Sequence, residues 1–224
     1  MNYDELYQDK NDSYYVNERK ELLKFVPTAI TSALDIGCGA GNFGRMLKNQ
    51  LNVEVWGIEP DKKSATIAES VLDKVINDVF DAESLKKLDR KFDVIFFNDV
   101  LEHVPDPDWA LRNCHQLLNP GGAIVASLPN MRFYTVINEL LFEQDFKYQD
   151  SGIMDKTHLR FFTKKSMMRL FNENGYHIRS IDGINQYPVQ GKKMKFLSWL
   201  LKKWLTDITF LQYAIVAYPQ QSNA

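Results

Sequence analysis

Two carboxylates and a glycine cluster are the residues whose spacing most clearly suggests a binding chemistry. Asp35 stands inside the run Leu34-Asp35-Ile36-Gly37-Cys38-Gly39-Ala40-Gly41, and Glu59 follows 18 residues after Gly41. Glycines let the backbone turn sharply and approach a ligand closely. A helix that opens after them offers free N–H groups and a positive partial charge. A carboxylate at the position of Glu59 can accept both hydroxyls of a ribose. The spacing therefore predicts a site for a cofactor that contains a nucleoside.

The identity of that cofactor depends on Asp35. The dehydrogenase pattern G-x-G-x-x-G occurs at Gly39, Gly41 and Gly44, so NAD is one alternative. A carboxylate before the first glycine can hold an ammonium group, which S-adenosylmethionine (SAM) carries and NAD lacks. The pair Asp78-Val79 follows the predicted third strand, where an adenine amine can be read. We therefore expect SAM, with a NAD-dependent dehydrogenase as the alternative.

Apolar runs that alternate with amphipathic stretches must position these residues. The predicted strands are Ala33–Ile36, Val53–Ile58, Lys74–Ile76, Phe92–Phe97, Ala123–Leu128, Tyr176–Ile181 and Phe210–Tyr218. The predicted helices are Asn42–Asn49, Lys62–Val71, Glu83–Leu88, Asp108–Leu117, Lys164–Asn174 and residues 193–205. Alternating strands and helices with near-continuous apolar strands indicate a parallel sheet covered on both faces.

The length of 224 residues predicts one domain over residues 1–224. Residues 1–30 are expected to form a helical cover. Residues 130–160 show no clear period and are predicted to be an insertion over the carboxyl edge of the sheet, where ligands of such sheets bind. Residues 190–207 are predicted to form an amphipathic helical segment.

The order of five motifs resembles that of the class I SAM-dependent methyltransferases over roughly residues 30–130. Besides the glycine run, the motifs are Gly57-Ile58-Glu59, Phe92-Asp93-Val94-Ile95, Leu101-Glu102-His103-Val104 and Leu118-Asn119-Pro120-Gly121-Gly122. The resemblance implies an α/β fold with a doubly wound, Rossmann-like sheet of seven strands in the order 3-2-1-4-5-7-6. It also implies that strand 7, here Phe210–Tyr218, is antiparallel.

The resemblance further implies a role for each residue of the cofactor site. The loop of Gly37, Cys38, Gly39 and Gly41 would pass under the methionyl part of SAM, and Asp35 would hold its amino group. Glu59 with Pro60 would meet the ribose, Asp78 and Val79 the adenine, and Asn98 the methionyl group. Near the N-terminus, Tyr14-Tyr15-x-x-x-Arg19 resembles a leading helix that covers SAM, so Tyr15 and Arg19 are also expected to contact the cofactor.

His103 is the first candidate for a catalytic residue, because it follows the fourth strand at the carboxyl edge of the sheet. A hydroxyl acceptor must lose its proton near the transition state, and an imidazole can accept it. The alternative is a structural histidine that caps a loop or braces Glu102.

A second cluster, Asp155-Lys156-Thr157-His158-Leu159-Arg160-Phe161-Phe162-Thr163, resembles the Asp-x-x-His-x-Arg-x-Phe-Thr stretch of a large bacterial methyltransferase subgroup. Several members of that subgroup act in glycan or secondary-metabolite pathways. Asp155, His158 and Arg160 are therefore predicted to bind the acceptor, with His158 as a second catalytic candidate. The alternative is that they brace the insertion against the sheet.

Asp99-x-x-Glu102-His103 is a candidate metal site. It resembles the Glu-x-x-Glu-His motif of the ubiquinone-biosynthesis O-methyltransferases, which bind a divalent ion, with Asp in place of the first Glu. A hard cation such as Mg²⁺ accepts such oxygen ligands. A divalent metal is thus an alternative cofactor that we do not expect the enzyme to need.

Composition and charge limit the partners. The net charge of −2 does not favour a nucleic-acid partner. Cys38 and Cys114 match no metal or disulfide pattern, there is no signal-peptide pattern, and no stretch of 18 apolar residues predicts a membrane span. We expect a cytoplasmic protein that is a monomer or a homodimer.

The segment Lys192–Leu205 holds five lysines among apolar residues, so contact with a membrane surface is an alternative there. Its apolar residues are too many for one narrow stripe, which favours burial against protein.

Together these patterns predict SAM-dependent O-methylation of a hydroxyl on a sugar or glycan precursor. A small phenol, a carboxylate or an amine is the alternative acceptor. From another class of protein, a non-catalytic SAM-binding module is the alternative.

Overall fold

A computed structural model describes residues 19–220, and these form one seven-stranded sheet with helices on both faces. The strands are β1 (Ser32–Ile36), β2 (Glu54–Ile58), β3 (Lys74–Ile76), β4 (Phe92–Asn98), β5 (Leu118–Pro129), β6 (Tyr176–Gln186) and β7 (Phe210–Pro219). The helices are α1 (Asn42–Leu51), α2 (Lys62–Ala68), α3 (Ala82–Lys86), α4 (Pro107–Leu117), α5 (Tyr134–Asn138), α6 (Lys164–Glu173) and α7 (Lys192–Leu200). A 3₁₀ helix (Lys20–Phe25) precedes β1, and a π-helical turn (Glu139–Glu143) follows α5.

The strand order is β3-β2-β1-β4-β5-β7-β6. The first five strands in this order run parallel to their neighbours, whereas β7 lies antiparallel between β5 and β6. This confirms the predicted fold class. Because parallel strands end at the same edge, the segments that follow β1, β2 and β4 meet on one side of the molecule.

Most residues of the central strands β1 and β4 are apolar, because helices cover both faces of the sheet. In β4, successive side chains point to opposite faces: Ile95 and Phe97 join one core cluster, and Val94 and Phe96 join the other. All five residues of β1 are buried. A strand buried on both faces is a rigid support for the loop that follows it.

The helix ends have identifiable causes in the sequence. The carboxylate of Asp106 accepts the N–H of Trp109, and Pro107 occupies the first turn of α4, where no hydrogen-bond donor is needed. Thr163 and Ser166 form a reciprocal capping box at the start of α6. These caps fix the segments that border the predicted insertion.

Two predicted elements end five residues away from their predicted ends. The sixth strand continues from Ile181 to Gln186, because it pairs with β7 beyond a register shift between Ile178 and Ser180. The predicted helix over residues 193–205 is regular only from Lys192 to Leu200, and turns follow it.

The predicted insertion contains α5, the π-helical turn and irregular backbone. Among residues 19–220, no helix is long and apolar enough to cross a membrane.

Candidate active site

A cleft of about 400 Å³ lies at the carboxyl edge of the sheet. Its walls come from the loops after β1, β2 and β4 and from the insertion. Most of the predicted cofactor and acceptor residues line it, including Arg19, Asp35, Gly37, Cys38, Gly39, Glu59, Pro60, Val79, Asn98, His103, Asp155 and His158. The topology thus brings together residues that are far apart in the sequence.

Asp35 and Asn98 present polar atoms that the described part of the chain does not satisfy. Among residues 19–220, neither Oδ1 of Asp35 nor the amide nitrogen and oxygen of Asn98 has a hydrogen-bond partner, and all three atoms are buried. Buried polar groups are normally paired, so an unpaired one requires an explanation. A carboxylate and an amide fit the ammonium and carboxylate of an amino-acid moiety, as the SAM prediction requires.

The loop after β1 leaves no room for side chains. Gly37 has φ +72°, and a Cβ placed there would lie 2.5 Å from Cγ2 of Val100. Gly41 has φ +77° and directly precedes α1, although it does not line the cleft. Only glycine adopts this backbone readily. The loop can therefore pass close under a ligand.

Glu59 is held in place by backbone donors. The N–H of Gly39 donates to its Oε2 at 2.8 Å, and the N–H of Asp61 donates to its Oε1 at 2.9 Å. Burial raises the pKa of Glu59 to about 7, although the two hydrogen bonds oppose the shift. Burial, and to a smaller extent the charge of Glu59, raise the pKa of Asp35 to about 8. Two carboxylic acids in one dry cleft favour a cationic or hydroxyl-bearing ligand.

At the predicted adenine position the wall is apolar. Val79 and Phe80 line the cleft, whereas Asp78 does not. Oδ2 of Asp78 pairs with Nζ of Lys87 at 2.7 Å, and its Oδ1 accepts the N–H of Val79. Phe80, which the sequence analysis missed, packs against Phe97 and Trp109. A lone aromatic residue after a short strand gave no recognisable signal. The adenine contact of Asp78 stays a prediction.

Arg19 enters the cleft beside Asp99, in accord with its predicted place near the cofactor. It is buried and forms an ion pair with the Asp99 carboxylate. It also donates to Oγ of Ser127 at 3.1 Å. Asp99 further accepts from Nε2 of Gln212 at 2.7 Å. Gln212 comes from β7, and no local pattern linked it to Asp99. Tyr15 lies outside the described residues.

On the acceptor side the two predicted histidines meet. The rings of His103 and His158 contact edge to face, with centroids 4.7 Å apart. Nδ1 of His103 lies 3.2 Å from the carbonyl oxygen of Thr157, and Nδ1 of His158 lies 2.9 Å from that of Ile153. A carbonyl only accepts, so each Nδ1 carries the proton in the neutral ring and the lone pair is on Nε2. In each neutral ring, Nε2 is therefore the nitrogen that can accept a proton.

Asp155 and Arg160 serve the same segment in different ways. Oδ1 of Asp155 accepts both the N–H and the hydroxyl of Thr157, at 2.8 and 2.7 Å. Asp155 thus orients the residue that orients His103. The guanidinium of Arg160 donates to the carbonyl oxygens of Leu159 and Pro105, and the residue does not line the cleft. For Arg160 the geometry matches the bracing alternative rather than acceptor contact.

Of the predicted metal ligands, Glu102 and His103 lie together and Asp99 lies apart. Ligand atoms of Glu102, His103 and His158 lie within 4.8 Å of one another, and all three residues are placed where one ion could contact them. Asp99 is not in this cluster, because its carboxylate pairs with Arg19. Two imidazoles and one carboxylate are a set typical of transition metals rather than of Mg²⁺. The need for a metal stays open to experiment.

Comparisons with known proteins agree with this geometry. A family model described as a methyltransferase domain matches residues 7–181. The ubiquinone biosynthesis O-methyltransferase of Coxiella burnetii is 27% identical over 182 residues, which is 76% of this chain and 75% of that protein. The mitochondrial protein of the same name from Rattus norvegicus is 27% identical over 199 residues, 84% of this chain and 53% of that protein.

Among solved structures, a SAM-dependent methyltransferase from Archaeoglobus fulgidus superposes with a TM-score of 0.66 at 21% identity, covering 96% of this chain and 97% of that one. Its fold is the one described above. The family match covers most of the chain, so the protein belongs to the methyltransferase-domain family. It is a SAM-dependent methyltransferase.

Proposed function

We propose that this methyltransferase methylates a hydroxyl oxygen and that His103 accepts the hydroxyl proton. The observation that carries the proposal is the contact between Nδ1 of His103 and the carbonyl oxygen of Thr157, which keeps the lone pair on Nε2. A hydroxyl is a weak nucleophile until its proton begins to leave, so a positioned base accelerates the reaction. The named relatives are O-methyltransferases, which favours oxygen over nitrogen as the acceptor atom.

The cofactor half of the cleft suits SAM, which supplies an electrophilic methyl group when bound. Asp35 and Asn98 would hold the amino-acid end, and Glu59 would accept ribose hydroxyls. Val79 and Phe80 offer an apolar wall for adenine. The chain's own contribution is alignment of the acceptor and exclusion of water. His103 then moves one proton, from the acceptor hydroxyl to Nε2.

The apolar residues of the cleft suit a flat hydroxyl compound. Val104, Pro105, Ile153 and Leu211 line the cleft together with the polar residues described above. Ligand pockets combine apolar walls with a few polar groups that fix orientation, and such a combination suits an aromatic ring that carries a hydroxyl. The relatives act, by name, in ubiquinone biosynthesis, and they lend no support to the sugar or glycan precursor predicted from the sequence. We therefore propose a small phenol as the acceptor class.

The test is a product analysis with SAM that carries a ¹³C-labelled methyl group. The enzyme is incubated separately with catechol, a hydroxybenzoate, a free hexose and a primary amine. We expect an O-methyl carbon signal with a phenolic compound, since the methyl shift distinguishes oxygen from nitrogen attachment. An N-methyl product, or an O-methyl product from the hexose alone, would contradict the proposed acceptor. SAM binding without turnover on any acceptor would favour the non-catalytic alternative.

A further inference from the structure

Helix α7 presents two apolar faces, and residues 19–220 cover only one of them. Met194 is buried and Leu197 is partly buried, and both belong to the core cluster around Phe133 and Ile153. On the other side Phe196 is 63% exposed and Trp199 is 72% exposed. Within residues 19–220 the outer face of this segment is exposed, so its burial against protein stays a prediction. The inner apolar face of α7 packs against the insertion, and the outer apolar face has no partner in residues 19–220.

The outer face continues into the turns that follow α7. Leu200 is 60% exposed and Trp204 is 77% exposed. The rings of Phe196 and Trp199 contact each other at a centroid distance of 6.0 Å. Exposed apolar residues scattered singly are normal, but a contiguous cluster of them is informative, because such surfaces mark interaction sites. We call Phe196, Trp199, Leu200 and Trp204 the outer apolar face.

Positive charge surrounds the outer apolar face. Lys192, Lys193, Lys195, Lys202 and Lys203 are all exposed. No aspartate or glutamate occurs from Tyr187 to Thr206, although the whole chain has a net charge of −2. The charged side chains of this segment are therefore all positive. Long lysine side chains can reach past apolar neighbours toward anionic groups.

We propose that this segment docks on an anionic lipid bilayer surface. Exposed tryptophans favour the interface between headgroups and acyl chains, and lysines beside them favour anionic headgroups. A second copy of the chain is a poorer occupant, because the five lysines of this segment would repel their equivalents across a two-fold axis. The helix is too short to span a bilayer, so the contact is peripheral.

Docking here places the cleft near the bilayer. Met194, on the inner face of α7, shares a core cluster with Ile153, and Ile153 lines the acceptor side of the cleft. A bilayer that contacts the outer face of α7 would therefore lie against the helix whose inner face belongs to a core cluster that reaches the cleft.

The experiment is flotation of the full chain with vesicles. One set contains equal amounts of phosphatidylcholine and phosphatidylglycerol, and the other contains phosphatidylcholine alone. We expect binding to the anionic vesicles that weakens with added salt and is much reduced on the neutral vesicles. Each lysine near an anionic surface contributes about a fivefold factor in partitioning. Brominated lipids should quench the fluorescence of Trp199 and Trp204. The other two tryptophans should be quenched less, because Trp56 is buried and Trp109 is partly buried.

Two variants and their matched controls distinguish docking by this segment from non-specific binding of the protein to vesicles. The double variant Trp199→Ser/Trp204→Ser should lose about tenfold or more in vesicle affinity, and Lys202→Gln/Lys203→Gln should lose the salt-sensitive part. Ile67→Ser and Lys62→Gln/Lys63→Gln, at exposed positions of α2, should bind like the unmodified protein.

The proposal is overturned if the unmodified protein does not float with anionic vesicles, or if the tryptophan variant binds them equally well. It is also overturned if light scattering shows a dimer that Trp199→Ser/Trp204→Ser dissociates while vesicle binding is absent, because the face would then join two copies. A thermal melt shows whether each variant is folded. The substituted side chains are exposed, so we expect unchanged melting.

Discussion

The imidazoles of His103 and His158 meet edge to face, 4.7 Å apart between centroids, and each is oriented by a backbone carbonyl of the same insertion segment. Thr157 orients His103, and Ile153 orients His158. The segment is itself tied to the loop after β4, because the N–H groups of Leu159 and Arg160 donate to the carbonyl oxygen of Glu102. One short stretch of chain therefore fixes both candidate bases against the carboxyl edge of the sheet.

The first prediction concerns His103 as the general base. His103→Gln should lower turnover by about 10²–10⁴-fold, the usual contribution of a positioned base. Affinity for S-adenosylhomocysteine should change little, because the cofactor residues belong to other loops. Steady-state turnover and calorimetry measure the two quantities.

The controls for this prediction come from the other histidines. His177→Gln, at an exposed position of β6, should leave turnover unchanged. If His103→Gln keeps most of its turnover and His158→Gln loses it, the base is His158 and the assignment is wrong. A loss of cofactor affinity in His103→Gln would show a structural role and would also contradict the assignment.

The second prediction concerns metal. We expect turnover to persist in EDTA, because Asp99 pairs with Arg19 and the proposed proton transfer needs only a base at His103. Turnover measured before and after dialysis against EDTA provides the test. Loss of activity that Mg²⁺, Mn²⁺ or Zn²⁺ restores would establish a metal role for Glu102, His103 and His158.

The fold was predictable from sequence because its signals are local. Near-continuous apolar strands, glycines after β1 and capping residues before the helices each act within a few positions. The place of Asp35, Gly37 and Glu59 in the cleft was predictable for the same reason, since each stands at a fixed place relative to a strand end. The strand order then brings these residues together at one edge of the sheet.

Other parts depend on contacts between distant segments. The pairing of Asp99 with Arg19 and Gln212 joins three separate stretches of chain, and no spacing in the sequence encodes it. The outer face of α7 shows the same limit. A helix with two apolar faces has the composition of a buried helix, so its exposure depends on whether the fold covers one face or both.

The third prediction is that cofactor affinity rises with pH. In the ligand-free cleft, burial raises the pKa of Asp35 to about 8 and that of Glu59 to about 7. A bound ammonium favours the charged form of Asp35, so binding near neutral pH should release protons. Affinity for S-adenosylhomocysteine should increase between about pH 6 and pH 8. Calorimetry in two buffers of different ionisation enthalpy measures the released protons.

Stability without ligand should change in the opposite direction. The folded-state pKa of Asp35 lies above its ordinary value of 3.8, so the folded protein binds more protons than the unfolded chain between these values. Ligand-free stability contributed by this group is therefore lost as pH rises toward about 8. Asp35→Asn should flatten both pH dependences. Equal affinity at pH 6 and pH 8, or proton uptake on binding, would contradict this account.

Asn98→Leu tests the central claim, that this cleft binds the amino-acid end of SAM. The Asn98 amide is buried and makes no hydrogen bond within residues 19–220, so its replacement by an apolar group of similar shape breaks no side-chain hydrogen bond in that part of the chain. Denaturant melts should show stability unchanged or higher by up to about 1–3 kcal/mol. Calorimetry should show weaker binding of S-adenosylhomocysteine, by about 1.5–3 kcal/mol for each hydrogen bond lost to a charged group. The unmodified protein should bind S-adenosylhomocysteine and not NAD. Undiminished affinity in Asn98→Leu, or binding of NAD in place of S-adenosylhomocysteine, would contradict the account.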